Sequence, residues 1–210
     1  MKITTIEISG FISCFNTLRK PFKRECKSDV KQYCTIIETE KSIHPILTEI
    51  NDISREDIKL LQTLIKRGDE HAKAQRLINV TAEIEAPLFF WNEMSTYTVG
   101  VTPGCSESTM HTLKKEKLTR DSLETDIPEE YLNYLNGELE EERLNNNLTI
   151  EYLKGILPSS YLQKRDINFS YQTLARIYKQ RLNHKLPQWQ VFTNWVKTLP
   201  LSRELIIGEE

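Results

Sequence analysis

The segment Leu77-Ile78-Asn79-Val80-Thr81-Ala82-Glu83-Ile84-Glu85 alternates apolar and polar side chains about every second residue, and Ala86-Pro87 follows it. That period belongs to a strand with one face in a core and the other in water, because successive side chains leave a strand on opposite sides. Proline cannot donate to a sheet ladder, so the strand is expected to stop there. A one-faced strand needs neighbours and a cover. Lys2 to Ile8 and Tyr33 to Thr39 mix β-branched with polar residues and supply two further strand candidates. The cover is signalled from Ser54, where S-x-x-D leads into Ile58, Leu60, Leu61, Leu64 and Ile65 at helical spacing, with Lys66 and Arg67 in the last turn and Gly68 after it.

Beyond Pro87 the aromatic-rich stretch Leu88 to Tyr97 reads as a helix, and Gly100, Pro103 and Gly104 read as a loop. Ser106 then stands where an N-cap is expected, ahead of a helix from Glu107 to Leu118. Thr119 to Asn147 is the most polar region, and its Glu138 to Glu142 run reads as a solvated helix face rather than a cation site. Three more helices are expected, at Thr149 to Ile156, near Ser170 to Arg181, and at Pro187 to Lys197, where proline suits the first turn. Phe89, Phe192 and Trp195 read as core. With no internal repeat, the pattern predicts one α+β domain over residues 1–210, a small mixed sheet covered by helices.

Charge narrows the partners. Lys+Arg 28 against Asp+Glu 30 gives a net charge of -2, without the cationic excess that duplex nucleic acid demands, so none is expected as a partner. Nothing approaches the roughly 18 consecutive apolar residues of a membrane helix, and the first ten residues lack a signal-like apolar run. No membrane partner and a cytoplasmic setting are therefore expected. Cys14, Cys26, Cys34 and Cys105 form no C-x-x-C pair and read as reduced thiols, and no two histidines have metal-ligand spacing, so no metal is expected.

The run His71-Ala72-Lys73 to Glu85-Ala86-Pro87-Leu88-Phe89, continuing to Met110, resembles the central segment of flavin-dependent thymidylate synthases. In that family a histidine precedes a strand, a helix follows it, and the helix ends in an Arg-His-Arg-x-x-Ser-x-Asn-x-x-Ser-x-Arg motif that contacts flavin and deoxyuridylate. A gapless alignment from His71 sets the motif against Thr96 to Ser108, where Ser106 keeps its second serine while Thr96-Tyr97-Thr98 replace Arg-His-Arg and Ser108 replaces the closing arginine. Lys154-Gly155-Ile156-Leu157-Pro158 is similar to the family's Arg-x-x-Leu-Pro segment, and Arg181 falls where the family has a nucleotide-binding arginine. Arg181 to His184 with Gln188-Trp189 resembles its Arg-x-x-x-His-x-Gln-Trp-Glu ending, and Ser170 and Gln172 stand at the flavin-contacting Asn and Arg.

The resemblance implies a flavin-dependent thymidylate synthase-like fold and a pyrimidine deoxynucleotide, dUMP-like, held by Ser106, Glu107, Ser108, Lys154 and Arg181. It places His71, His184 and Gln188 at the cofactor FAD, and it implies a homotetramer with sites at subunit interfaces. The residue chemistry agrees on the anion side, because amides at a helix start bind phosphate and the planar fork of Arg181 suits phosphate or uracil carbonyls. N-capping by Ser106 and surface solvation of the cations explain the same residues without a ligand. On the flavin side two guanidinium groups and an imidazole are gone, so FAD is expected to bind weakly or not at all. Two readings stay open, an active methyltransferase in nucleotide biosynthesis and an inactive relative that binds or sequesters the nucleotide. A homo-oligomer is expected to bury the Leu88 to Tyr97 helix, whose aromatics would otherwise face water.

Overall fold

The computed structural model of the chain describes residues 1–25, 27, 33–39, 42–48, 53–113, 116–145, 147 and 149–208. In chain order its elements are β1 (Lys2–Ser9), α1 (Phe11–Leu18), β2 (Tyr33–Thr39), β3 (Ser42–Thr48), α2 (Arg55–Lys66), β4 (Asn79–Pro87), α3 (Leu88–Met94) and β5 (Val101–Ser106). Then follow α4 (Thr109–Thr112), α5 (Glu129–Leu144), α6 (Ile150–Ile156), β6 (Leu162–Ser170), α7 (Tyr171–Arg181) and α8 (Pro187–Lys197). Four strands form a sheet in the order β1-β4-β6-β5, and β2 and β3 form a separate antiparallel pair that matches Tyr33 to Thr48 and Ile36 to Pro45. The class is α+β, as the alternation and the helical stripes require.

β4 carries the one-faced pattern as written: Val80, Ala82, Ile84 and Ala86 are fully buried while Glu83 faces water. Pro87 closes the strand and caps α3. α2 begins where Ser54 Oγ accepts from Glu56 N at 3.2 Å, and α8 has Pro187 in its first turn. The Gly100 to Gly104 stretch is a correction. It is not a loop throughout, because Val101 to Ser106 pair as β5, the last strand in the order, and an edge is the place where a sheet tolerates Pro103. Consequently Ser106 ends a strand instead of capping a helix, and α4 after it is a single turn.

The described residues cluster into two compact units, one made of residues 1–2, 84–96 and 105–165 and the other of 3–83, 97–104 and 166–210. The first has a leucine core: Leu132, Leu135 and Leu139 form one stripe of α5 and join Leu113, Leu118, Leu123, Leu153 and Tyr161. In the acidic run of α5, Glu140 pairs with Arg143 and Glu138 accepts from the Tyr152 hydroxyl at 3.1 Å. The second unit has an aromatic core, in which Phe192 contacts Phe169, Trp189 and Trp195 edge-on at 5.8, 5.6 and 5.3 Å between ring centroids. Phe192 and Trp195 are thus core, as read, whereas Phe89 is half-buried. Asp57, fully buried on α2, accepts from Arg19 Nε at 2.7 Å and Lys27 N at 3.0 Å, which compensates its charge.

On α3, Phe90, Trp91 and Met94 are buried within the single chain at 0, 2 and 3% exposure and Phe89 is half-buried, so most of the aromatic surface expected at a contact between copies is covered by the chain itself. Cys14 is buried and Cys105 exposed, while Cys26 and the side chain of Cys34 lie outside the described residues.

Candidate functional site

The residues expected to hold the nucleotide fall into both units. Ser106, Glu107, Ser108 and Lys154 belong to the first, Arg181 to the second. In the first unit Glu107 is tied to β6 rather than presented to a ligand. Its N–H donates to Lys164 O at 2.8 Å, its carbonyl accepts from Gln163 Nε2 at 2.8 Å, and its carboxylate accepts from Lys164 N at 3.4 Å. Ser108 starts the one-turn α4 without a side-chain cap, and one turn supplies little of the aligned dipole on which phosphate sites draw. Lys154 is an exposed cation in the last turn of α6.

Arg181 is built differently. It ends α7, Trp189 lies in the first turn of α8, and the stretch between returns the chain so that the indole meets the guanidinium. The guanidinium carbon sits 4.4 Å from the Trp189 ring centroid and 5.4 Å from that of Tyr97, and Arg181 Nε donates to the Tyr97 hydroxyl at 2.7 Å. Tyr97 and Trp189 meet edge-on at 5.9 Å. Stacking of this kind fixes the plane of the fork, and a fork of fixed plane reads carboxylate or phosphate along its edge. Tyr97 is held in turn by the bend after it. Gly100 has φ +72°, a Cβ there would come 2.2 Å from Thr173 Oγ1, and that hydroxyl donates to Val99 O at 3.0 Å.

His184 packs at this corner. His184 Nδ1 accepts from Leu186 N at 3.2 Å, which places the proton of the neutral ring on Nε2, and the ring packs edge-on to Trp189 at 6.1 Å. Gln188 is buried in α8. His71 lies elsewhere in the second unit, exposed on an open cleft of about 500 Å³ with Leu18, Leu64, Arg67, Lys73 and Leu77.

The positions matched to flavin contacts do not fit FAD. Thr96 Oγ1 donates to Glu93 O at 2.8 Å, and the Tyr97 hydroxyl is the acceptor for Arg181. Ser170 caps α7 through Thr173 N at 3.3 Å. Gln172 accepts from Arg76 Nε at 2.6 Å and donates to Asp69 O at 2.8 Å. None of these side chains carries the positive charge a diphosphate requires, and each named hydrogen bond points back into the chain. Among the described residues no group of three or more His, Cys, Asp or Glu gathers to hold a metal ion, and no helix is long and apolar enough to cross a membrane.

Sequence reasoning found Arg181 and missed its partners. Tyr97 was visible only as the replacement of a family histidine, and nothing in the sequence joins it to an arginine 84 residues away. It also missed Arg165, which stacks on Trp91 with the guanidinium carbon 4.6 Å from the ring centroid.

No protein-family model matches the chain, and no curated protein matches it significantly. Solved structures do. The flavin-dependent thymidylate synthase ThyX from Helicobacter pylori, complexed with FAD and dUMP, superposes with a TM-score of 0.67 over 100% of both chains at 15% identity. A second structure of Helicobacter pylori ThyX with FAD and dUMP gives 0.67 over 98% of this chain and 97% of that one, at 16% identity. At such identities the likeness is one of fold, and it covers the whole chain.

Proposed function

We propose that this protein binds a pyrimidine deoxynucleotide monophosphate, dUMP-like, on a ThyX-like fold, and does so without flavin-dependent methyl transfer. The observation that carries the reading is the Arg181 guanidinium held over the Trp189 ring and hydrogen-bonded to Tyr97. Both similar structures are described with dUMP, and Arg181 stands at the nucleotide-binding arginine of the family resemblance. The flavin side supports the same reading by its chemistry, since Thr96, Tyr97, Ser170 and Gln172 offer no cation to a diphosphate. Arg181 is the nucleotide contact in this reading.

The test is a thermal-shift and calorimetric titration with deoxyuridylate, thymidylate and deoxycytidylate. At least one is expected to stabilise the fold, and Arg181→Ala is expected to remove a charge-assisted contact of roughly 1.5 to 3 kcal/mol. That is on the order of a ten- to hundredfold weaker Kd. Arg120→Ala serves as the cation control, because Arg120 is engaged with Asp126 and Glu129 on the surface. If no nucleotide binds, or Arg181→Ala behaves like the control, the reading fails. A flavin-fluorescence titration showing submicromolar FAD binding would restore the synthase instead.

A further inference from the structure

Arg165 lies in β6, and strand alternation puts Gln163 on its face and Lys164 on the other. Its guanidinium lies over Trp91, whose indole N–H is fixed by the carbonyls of Ala86 and Gln163, both at 3.0 Å. Arg165 Nε and Nη2 both donate to the same neutral atom, Gln163 Oε1, at 3.0 and 2.8 Å. Two of the fork's N–H donors are used in this way, and the end that carries Nη1 has no partner among the described residues.

The charge is uncompensated as well. The better-covered arginines Arg19 and Arg143 each face a carboxylate, Asp57 and Glu140. Arg165 is half-buried and has no carboxylate within ion-pair distance among the described residues. On the neighbouring Lys164, Glu85 pairs with the ammonium at 3.8 Å, and the Glu107 carboxylate accepts from the backbone N–H. Burial alone pulls the Arg165 guanidinium below its ordinary pKa, with no opposing charge to restore it. Covering a cation without an anion is costly, and an incoming oxyanion removes that cost.

We propose that Arg165, oriented by Gln163 and by the Trp91 indole, is a recognition site for a small oxyanion, the phosphate or carboxylate group of a ligand. The guanidinium presents its Nη1 end, the aromatic floor fixes its plane, and two oxygens of one anion match that geometry. The site does not depend on the nucleotide reading, which rests on Arg181.

The experiment observes arginine side-chain N–H resonances of the full chain by NMR, with Arg165 assigned through their loss in Arg165→Lys. Inorganic phosphate and acetate are titrated separately against sodium chloride of equal ionic strength. Arg165 is expected to shift saturably with phosphate or acetate, with a midpoint on the order of 1 mM. The stronger of the two identifies the class of anion. The shift should persist in Arg181→Ala, and phosphate or acetate should bind Arg165→Lys at least about tenfold more weakly, since lysine keeps the charge and loses the fork. A response no different from chloride overturns the proposal and leaves Arg165 as a solvated lid on Trp91. Loss of the shift in Arg181→Ala overturns it too, by assigning the anion to the other arginine. A shift that follows protein concentration alone overturns it in favour of a carboxylate from a second copy. Should Arg165→Lys fail to fold, Arg165→Gln supplies the assignment and the loss of binding, and the wild-type titration with its chloride and Arg181→Ala arms decides.

Discussion

Tyr171 shows how one polar atom in an apolar setting sets a pH dependence. Its ring is fully buried against Phe11, edge-on at 5.5 Å, and its hydroxyl donates to Pro200 O at 2.7 Å. Burial pushes the phenol far above its ordinary value near 10. Because the folded-state pKa is raised, the hydroxyl's contribution to stability is complete below about pH 10 and is lost as pH rises beyond it, where only the unfolded phenol ionises. The slope from this group is about 1.4 kcal/mol lost per pH unit. Tyr171→Phe is expected to be less stable near neutrality by roughly 1 kcal/mol, the worth of one buried hydrogen bond. Urea midpoints measured from neutral to strongly alkaline pH should converge, the wild type falling more steeply above about pH 10. Parallel curves would show that the phenol titrates no differently in the folded chain. The same scale explains why Arg181 and Arg165 are different objects: one meets a phenol and an indole, the other a neutral amide and an indole, although both are arginines on aromatic floors.

Among the elements, α5 contributes three buried leucines to the first unit's core, and these are the residues to test. Leu139 is 1% exposed within the leucine cluster, so Leu139→Ala is expected to cost about 2 to 5 kcal/mol in chemical denaturation. Tyr134→Ala, on the water-facing side of the same helix at 58% exposure, should stay within about 0.5 kcal/mol of wild type. Equal effects would mean that the stripe is misplaced. Elements of this kind were legible in the sequence: α2 and α8 announce themselves through Ser54, Pro187 and a stripe of apolar residues, and β4 through its period of two. β6 was not. Its first half reads Leu162-Gln163-Lys164-Arg165-Asp166, polar at four of five positions, and the buried alternation appears only at Ile167 and Phe169. β5 was hidden by Pro103 and Gly104, which mark a break unless the strand is known to lie at an edge. Gly104 sits where a Cβ would come 3.0 Å from Asp166 Cβ, a close approach that only the paired strand reveals. The candidate site divides in the same way. Arg181 and the change at Thr96 to Thr98 can be read from a motif, whereas the Tyr97 contact exists only after the chain has folded.

For the molecule as a whole, the boundary between the two compact units falls inside β4, β5 and β6, so each of these strands contributes residues to both. Unfolding one unit alone would require each strand to be ordered along half its length, which is unfavourable because neighbouring residues in a ladder order together. One cooperative transition is expected. Trp91 reports on the first unit and Trp189 and Trp195 on the second, and all three indoles are buried. Fluorescence of Trp91→Phe and of a Trp189→Phe/Trp195→Phe double variant should each give one transition coincident with circular dichroism of the same protein; separated midpoints would show two independent folding units. The interrupted membership of each unit also matters to anyone who wants to work with less than the full chain. Both are assembled from three separate stretches of sequence, so no single cut of the gene and no single proteolytic nick can release either one intact. A library of truncations would yield fragments with unpaired strand ends, the kind of product that collects in inclusion bodies. A soluble piece would have to be made by rejoining the stretches in a new order with designed connections.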